Sequence, residues 1–139
     1  MMTAPIIDME NVSFSYAGGK KVLDGVGFQL RKGEKIGLIG PNGSGKSTFL
    51  FLVMGLQKPT GGVIRLFDAP AAAEADFQRA RRRIGLLFQN ADDQLFCPTV
   101  IEDVAFGPLN LGLTPAQARK KARETLAELD LAGFENRVT

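Results

Sequence analysis

A glycine-rich stretch of eight residues constrains this chain more than any other feature. Residues 40–47 read Gly-Pro-Asn-Gly-Ser-Gly-Lys-Ser, which satisfies the pattern G-x-x-x-x-G-K-[ST] in full. Glycine adopts backbone angles that side chains would forbid, and it lets the chain approach a ligand closely. An apolar run precedes this stretch and helix-forming residues follow it. The sequence therefore predicts a tight loop between a strand and a helix.

The predicted loop carries the chemistry of an anion site. Its successive N–H groups can point inward and surround an anion, and the following helix directs its positive N-terminal end to the same place. Lys46 would put a cation near the outer phosphates, and the hydroxyl of Ser47 can ligate magnesium, which prefers hard oxygen ligands and the phosphates themselves. We therefore expect polyphosphate binding with Mg²⁺, although the pattern alone does not distinguish ATPases, GTPases and kinases.

Apolar periodicity predicts strands and helices in alternation. The predicted strands are residues 6–16, 22–30, 36–39, 63–67 and 84–88, and the predicted helices are residues 46–56, 71–82, 99–106 and 115–131. The first two strands should be antiparallel and peripheral, with a turn at Gly18 and Gly19. Because strands alternate with helices after residue 35, the pattern indicates an α/β sheet, with residues 36–39 as a buried parallel strand.

Two helix ends carry specific signals. Thr114 is the expected N-cap of the last helix, with Pro115 at its first position and Gln117 completing a capping box. Gly133 is the expected stop of that helix. Gly107 and Pro108 are expected to end the helix before it.

Composition excludes several kinds of site. The 139 residues include no histidine and one cysteine, Cys97, so a Ser-His-Asp triad and an internal disulfide are excluded. The net charge of +2 does not argue for a nucleic-acid partner. The longest apolar run has eight residues, whereas a membrane-spanning helix needs about 20. No signal peptide is recognisable at the start, and we expect a soluble protein that docks on a membrane protein.

A set of motifs in order supports a family resemblance. Residues 12–16 match an aromatic A-loop region, residues 40–48 match the Walker A motif, and residues 86–90 match a Q-loop. The chain resembles the N-terminal half of an ABC-transporter ATPase. Residues 92–96 and 102–110 are most similar to the energy-coupling-factor type, which powers uptake of vitamins and of cobalt or nickel.

The resemblance implies roles for particular residues. Tyr16 would stack on adenine, and the phosphates of ATP would be wrapped by Asn42, Gly43, Ser44, Gly45, Lys46, Ser47 and Thr48. Lys46 and Gln89 would be catalytic, and Ser47 and Gln89 would ligate Mg²⁺. Residues 1–89 would form a nucleotide-binding core, and residues 90–139 would form the Q-loop and part of a helical subdomain.

The resemblance also implies partners and a location. They are a second ATPase subunit and an integral membrane transport subunit at the inner face of the cell membrane, with no nucleic acid. The fold class implied is a P-loop NTPase core with N-terminal antiparallel strands and part of a helical subdomain, without the C-terminal half of the usual domain. Exposed sheet edges would then favour self-association.

Several family motifs do not occur in the 139 residues. They contain no LSGGQ signature, no Walker B strand with its carboxylates and no switch histidine. We therefore expect ATP binding with little or no hydrolysis by this chain alone. The alternatives are a non-hydrolysing nucleotide-binding module without a transport role, an ABC-type ATPase acting on DNA, and a small-molecule kinase.

Overall fold

The computed structural model describes residues 4–139. The chain divides into two compact units, of which the first ends at Leu86 and the second comprises Leu87–Thr139. The first unit contains a sheet and two helices, and the second contains two helices and a short 3-10 turn. The predicted assignment of residues 1–89 and 90–139 to a nucleotide core and a helical subdomain stays a prediction.

Four antiparallel strands form the sheet of the first unit. They are β1 (Ile7–Ser15), β2 (Lys21–Leu30), β3 (Gly61–Leu66) and β4 (Ala69–Pro70), in the spatial order β2-β1-β3-β4. The prediction of antiparallel N-terminal strands is confirmed, as is the turn at Gly18 and Gly19, where the amide of Gly19 donates to the carbonyl of Tyr16 at 2.9 Å.

A bulge in β1 brings into the core two residues that a regular strand would place on opposite faces of the sheet. Met9 and Val12 lie three positions apart, yet both are fully buried, because the register shifts between them. Asn11 in the bulge has φ 51°, and an extra residue of this kind turns the strand so that the following side chains change face. Gly62 of β3 fits against it, since a Cβ there would lie 2.4 Å from the Asn11 carbonyl oxygen.

Two helices complete the core of the first unit. They are α1 (Lys46–Val53) and α2 (Glu74–Arg81), and their buried side chains include Leu52 and Phe77. Helix α1 ends before residue 56 because Gly55 adopts a left-handed conformation with φ 67°. Helix α2 begins later than residue 71 because the amide of Ala71 still bonds to the sheet. It donates to the carbonyl of Ile64 in β3 at 2.9 Å.

Two strand predictions are wrong. Residues 36–39 and 84–88 form no strand in the described part of the chain, and Ile39 and Leu87 are 99% and 77% exposed. An apolar run becomes a strand only when a neighbouring strand pairs with its backbone groups. The described sheet is formed by other segments, so the α/β class is confirmed but the predicted parallel strands are absent from residues 4–139.

The second unit consists of two packed helices. They are α3 (Val100–Asn110) and α4 (Pro115–Glu128), preceded by a 3-10 turn at Ala91–Gln94. Their shared core consists of small and aliphatic side chains, namely Ile101, Ala105, Ala118, Ala122 and Leu126. The predicted capping box is confirmed: Gln117 Oε1 accepts from the Thr114 amide at 2.9 Å, and Thr114 Oγ1 accepts from the Gln117 amide at 3.4 Å.

Both predicted ends of these helices are wrong. Helix α3 continues through Gly107 and Pro108, and the amide of Leu111 still donates to the Gly107 carbonyl at 3.1 Å. Proline near the end of a helix removes one backbone donor, and here the next turn forms in spite of it. Helix α4 ends at Glu128, because Asp130 already takes a left-handed conformation with φ 59°, three residues before Gly133, the expected stop.

Candidate phosphate-binding site

The loop of residues 40–45 leads directly into α1 through two left-handed glycines. Gly43 has φ 81° and Gly45 has φ 92°, which is the conformation that glycine adopts without strain. Gly45 is the N-cap of α1 and forms no side-chain cap, while its carbonyl accepts from the Phe49 amide at 2.8 Å. The first amides of a helix have no partner within it. Those of Lys46, Ser47 and Thr48 are thus available to an anion.

Lys46 folds back over the loop that precedes it. Its Nζ donates to the carbonyl of Gly40 at 2.7 Å and to the carbonyl of Pro41 at 2.8 Å. The amide of Ser44 also donates to the Pro41 carbonyl, at 3.3 Å, so the loop closes on itself. A lysine ammonium has three donors. Two of them are used by these carbonyls, and the third remains for an oxygen ligand.

The loop rests on the strand β2. A Cβ at Gly45 would lie 3.0 Å from Cδ2 of Leu23 and 3.1 Å from Cγ1 of Val22, which is closer than side chains ordinarily approach. A Cβ at Gly40 would lie 2.7 Å from the Ser44 hydroxyl oxygen, a side-chain atom that can rotate away. Glycine at position 45 lets the loop pack closely. Val22 and Leu23 are supporting residues that the motif did not indicate.

Tyr16 contacts the first turn of α1. Its hydroxyl lies 3.1 Å from Oγ1 of Thr48, and its ring packs edge-to-face on Phe14 with 4.8 Å between centroids. Tyr16 is 46% exposed, whereas Thr48 is 6% exposed. The structure therefore brings together an aromatic ring and the loop that the sequence predicted separately, through a contact that the sequence did not predict.

The remaining predicted residues lie in different places. Asn42, Gly43, Ser44 and Ser47 are exposed at the loop and the helix start. Gln89 lies in the second unit, where it lines an open cleft with Asn90 and Asp93. The pairing of Ser47 with Gln89 around Mg²⁺ stays a prediction.

Arg81 supports the other end of α1. Its Nε donates to the Met54 carbonyl at 2.9 Å, and its guanidinium also pairs with Glu74 at 2.6 Å. The Arg81 hydrogen bonds lower the pKa of the Glu74 carboxyl. In the sequence Arg81 belongs to the basic cluster of residues 79–83, which indicates a solvated helix end, and its contacts with the α1 backbone were not predicted.

No helix among residues 4–139 is both long enough and apolar enough to cross a membrane.

Comparison with known proteins places the whole phosphate loop within one family. The family model described as ABC transporter matches residues 23–139.

Individual relatives carry related names. A putative ABC transporter ATP-binding protein of Nitratidesulfovibrio vulgaris is 53% identical over 97% of this chain and 50% of its own length. The energy-coupling factor transporter ATP-binding protein EcfA of Methanocaldococcus jannaschii is 43% identical over 95% of this chain and 48% of its own. The cobalt import ATP-binding protein CbiO of Rhodobacter capsulatus is 43% identical over 97% of this chain and 49% of its own length. The chain spans about half the length of these curated relatives.

Solved structures agree with the sequence relatives. The structure of cbiO1 of Clostridium perfringens, described as part of the ABC transporter complex cbiONQ, has a TM-score of 0.86 at 29% identity. The alignment covers 98% of this chain and 55% of that one. A dimeric ATP-binding cassette in a post-hydrolysis state with ADP and Pi has a TM-score of 0.80 at 27% identity. That alignment covers 95% of this chain and 61% of the other. The chain thus belongs to the ATP-binding family of ABC transporters, among relatives named EcfA and CbiO.

Proposed function

We propose that residues 40–48 bind the phosphates of Mg-ATP, and that the chain is the ATP-binding part of an uptake transporter for a metal ion or a vitamin. The observation that carries this proposal is the loop geometry. Left-handed Gly43 and Gly45 lead into an uncapped helix start, with the Lys46 ammonium above it. Unbonded amides and a cation at one place form an anion site.

Each side chain of the site then has a role. Lys46 gives its third donor to an outer phosphate oxygen, and residues 42–48 surround the other phosphates with their amides, apart from the Ser44 amide, which donates to the Pro41 carbonyl. The exposed ring face of Tyr16 stacks on adenine, since a flat aromatic surface suits a flat base. Ser47 would supply its hydroxyl oxygen to Mg²⁺, and the same role for Gln89 is proposed from the family resemblance alone. Bound Mg²⁺ would neutralise part of the phosphate charge.

The proposed partners are a second ATPase subunit and an integral membrane subunit at the inner face of the cell membrane. Two similar structures support this proposal, since one is of a protein that is part of an ABC transporter complex and the other is of a dimeric cassette. An apolar surface of the second unit also supports it. Phe96 is 62% exposed and packs edge-to-face on Phe106 at 4.5 Å, and Leu109 and Leu111 at the end of α3 are also exposed. Exposed clusters of this kind are typical of protein interfaces.

Nucleotide binding is tested by titration calorimetry of the folded chain with Mg-ATP. We expect saturable heat, and we expect Lys46→Ala to weaken binding about 10- to 100-fold, because it removes a charged hydrogen-bond donor. Lys120→Ala is the matched control, since it removes the same charge from an exposed position of α4. Saturable binding that Lys46→Ala leaves unchanged, or no heat from a folded chain, would refute the proposed site.

The transport role is tested separately. A membrane subunit of the energy-coupling-factor type in detergent should retain the chain in the presence of Mg-ATP, and Phe96→Asp should abolish retention. Nucleotide binding without any such association would favour the alternative of a nucleotide-binding module with no transport role.

A further inference from the structure

We propose that Tyr16 is a positioning residue for phosphate binding, acting through its hydroxyl on Thr48, in addition to any contact of its ring with a base. The hydroxyl oxygens of the two residues lie 3.1 Å apart and join the end of β1 to the first turn of α1. This inference rests on the proposed function of the loop, and it assigns to Tyr16 a contribution that does not depend on adenine.

The surroundings of Tyr16 leave its hydroxyl little choice of position. The ring packs at 88° on Phe14, which is buried in the core, and the backbone carbonyl of Tyr16 accepts from Gly19 at 2.9 Å. The contact with Phe14 restricts the rotamers of the Tyr16 side chain, and the turn at Gly19 fixes the backbone from which the ring projects. The hydroxyl is therefore held beside Thr48 by the packing of the sheet.

The position of Thr48 explains why this contact matters for phosphate. Thr48 is the third residue of α1, and it is the sole buried polar side chain among residues 4–139. Its backbone amide is one of those that the helix leaves unbonded. A buried hydroxyl is stabilised by a hydrogen-bond partner, and Tyr16 is that partner. Holding the side chain of Thr48 therefore restrains the first turn of α1, which carries these unbonded amides.

The proposal separates two contributions of one residue. If Tyr16 acts only as a platform for adenine, its effect is confined to ligands that carry a base. If it acts through Thr48, it also affects tripolyphosphate, which has no base. Tyr16→Phe keeps the ring and removes the hydroxyl, so it isolates the second contribution.

The experiment is titration calorimetry with magnesium tripolyphosphate and with Mg-ATP. We expect Tyr16→Phe to weaken both ligands by the same factor, about 3- to 10-fold, which corresponds to one hydrogen bond. In a Thr48→Val background the substitution Tyr16→Phe should have no further effect. Thr60→Val is the control, because it removes a different hydroxyl bond of 3.0 Å, to the carbonyl of Ser13, and should leave both affinities unchanged.

A spectroscopic measurement tests the same contact without altering Tyr16. The chain has one tyrosine and no tryptophan, so its intrinsic emission reports Tyr16 alone. Magnesium tripolyphosphate should change this emission in the wild-type chain, and Thr48→Val should remove the change while calorimetry still detects binding. This readout decides the case even if Tyr16→Phe does not fold.

The outcomes distinguish the two proposals. If the folded wild-type chain binds neither ligand, the proposed function fails and this inference fails with it. If wild type binds but Tyr16→Phe weakens only Mg-ATP, or neither ligand, the positioning role is overturned and the phosphate site stands. An emission change that persists in Thr48→Val also overturns it.

Discussion

The guanidinium of Arg81 donates from Nε to the backbone carbonyl of Met54 at 2.9 Å, and so it caps the C-terminal end of the helix that follows the phosphate loop. A second nitrogen of the same side chain reaches the Gly55 carbonyl at 3.4 Å. Carbonyls at a helix end have no partner within the helix, and a cation there also interacts favourably with the helix dipole. Helix α2 thereby stabilises the opposite end of α1 from the anion site.

Replacement of Arg81 should therefore destabilise the first unit. We expect Arg81→Met, which keeps the apolar stem, to lower the free energy of unfolding by about 1–3 kcal/mol, because it removes a charged donor from unpaired carbonyls. Urea denaturation followed by circular dichroism measures the change. Arg79→Met is the control: its ion pair with Asp76 involves a largely exposed arginine side chain, and such pairs contribute about 0–1 kcal/mol. Equal losses in the two variants would contradict the capping role.

Gly55 is required by the ring that packs against it. It has φ 67°, and a Cβ there would lie 2.2 Å from the ring of Phe77, which is buried. Gly55→Ala should lower the free energy of unfolding by roughly 2–4 kcal/mol, from backbone strain and overpacking together. Gly61→Ala is the matched control in the same unit, because nothing lies within 4 Å of a Cβ at that position. If both variants melted at the same temperature as the wild-type chain, the requirement for glycine at position 55 would be contradicted.

The acid stability of the chain should depend on Asp76. Its carboxylate accepts from the amides of Ala73 at 2.8 Å and Ala72 at 3.1 Å, and these bonds, with that of Arg79, lower the pKa of Asp76. A lowered folded-state pKa means stability that is present above the ordinary aspartate pKa and lost as pH falls through the folded value. Asp76→Asn should therefore flatten the decline of stability in acid.

Urea denaturation over a pH series from neutral to below the ordinary aspartate range measures this effect. Asp24→Asn is the control, because Asp24 forms an exposed ion pair with Lys21. An acid limb that is the same in wild type and Asp76→Asn would show that the amide contacts carry no pH dependence.

Cys97 should react slowly with alkylating reagents at neutral pH. Burial raises the pKa of its thiol, and the carboxylate of Asp103 raises it further. Only the thiolate is nucleophilic. Asp103→Asn removes the charge but keeps an oxygen that can accept from the Cys97 amide, a bond of 3.1 Å in the wild-type chain. We expect faster alkylation by iodoacetamide in this variant, with Asp93→Asn as the control. A rate that Asp103→Asn leaves unchanged would contradict the electrostatic cause.

Local signals explain which elements could be predicted. The capping box at Thr114 and Gln117 satisfies the helix start within four residues, and the start of α4 is found where the sequence places it. The apolar run at residues 36–39 contains no comparable information, because a strand needs a partner elsewhere in the chain. The same limit applies to residues 84–88. Pro108 shows the converse, since a local breaker was overridden by the packing of α3 on α4.

The candidate site follows the same division. The loop is contiguous, so its glycines and Lys46 could be identified from spacing alone. The contacts that hold it are not contiguous: Tyr16 and Thr48 are 32 residues apart, and Arg81 and Met54 are 27 apart. No periodicity or motif in one sequence reports pairs at such separations.

The close approach of Gly45 to Val22 and Leu23 has a thermal consequence. Because the loop packs directly on β2 at Gly45, we expect the loop and the strand to lose their structure together. On heating, capture of phosphates and sheet ellipticity should therefore vanish over one temperature interval, as a single cooperative event. Recognition of the ligand in this chain therefore depends on an intact hydrophobic interior.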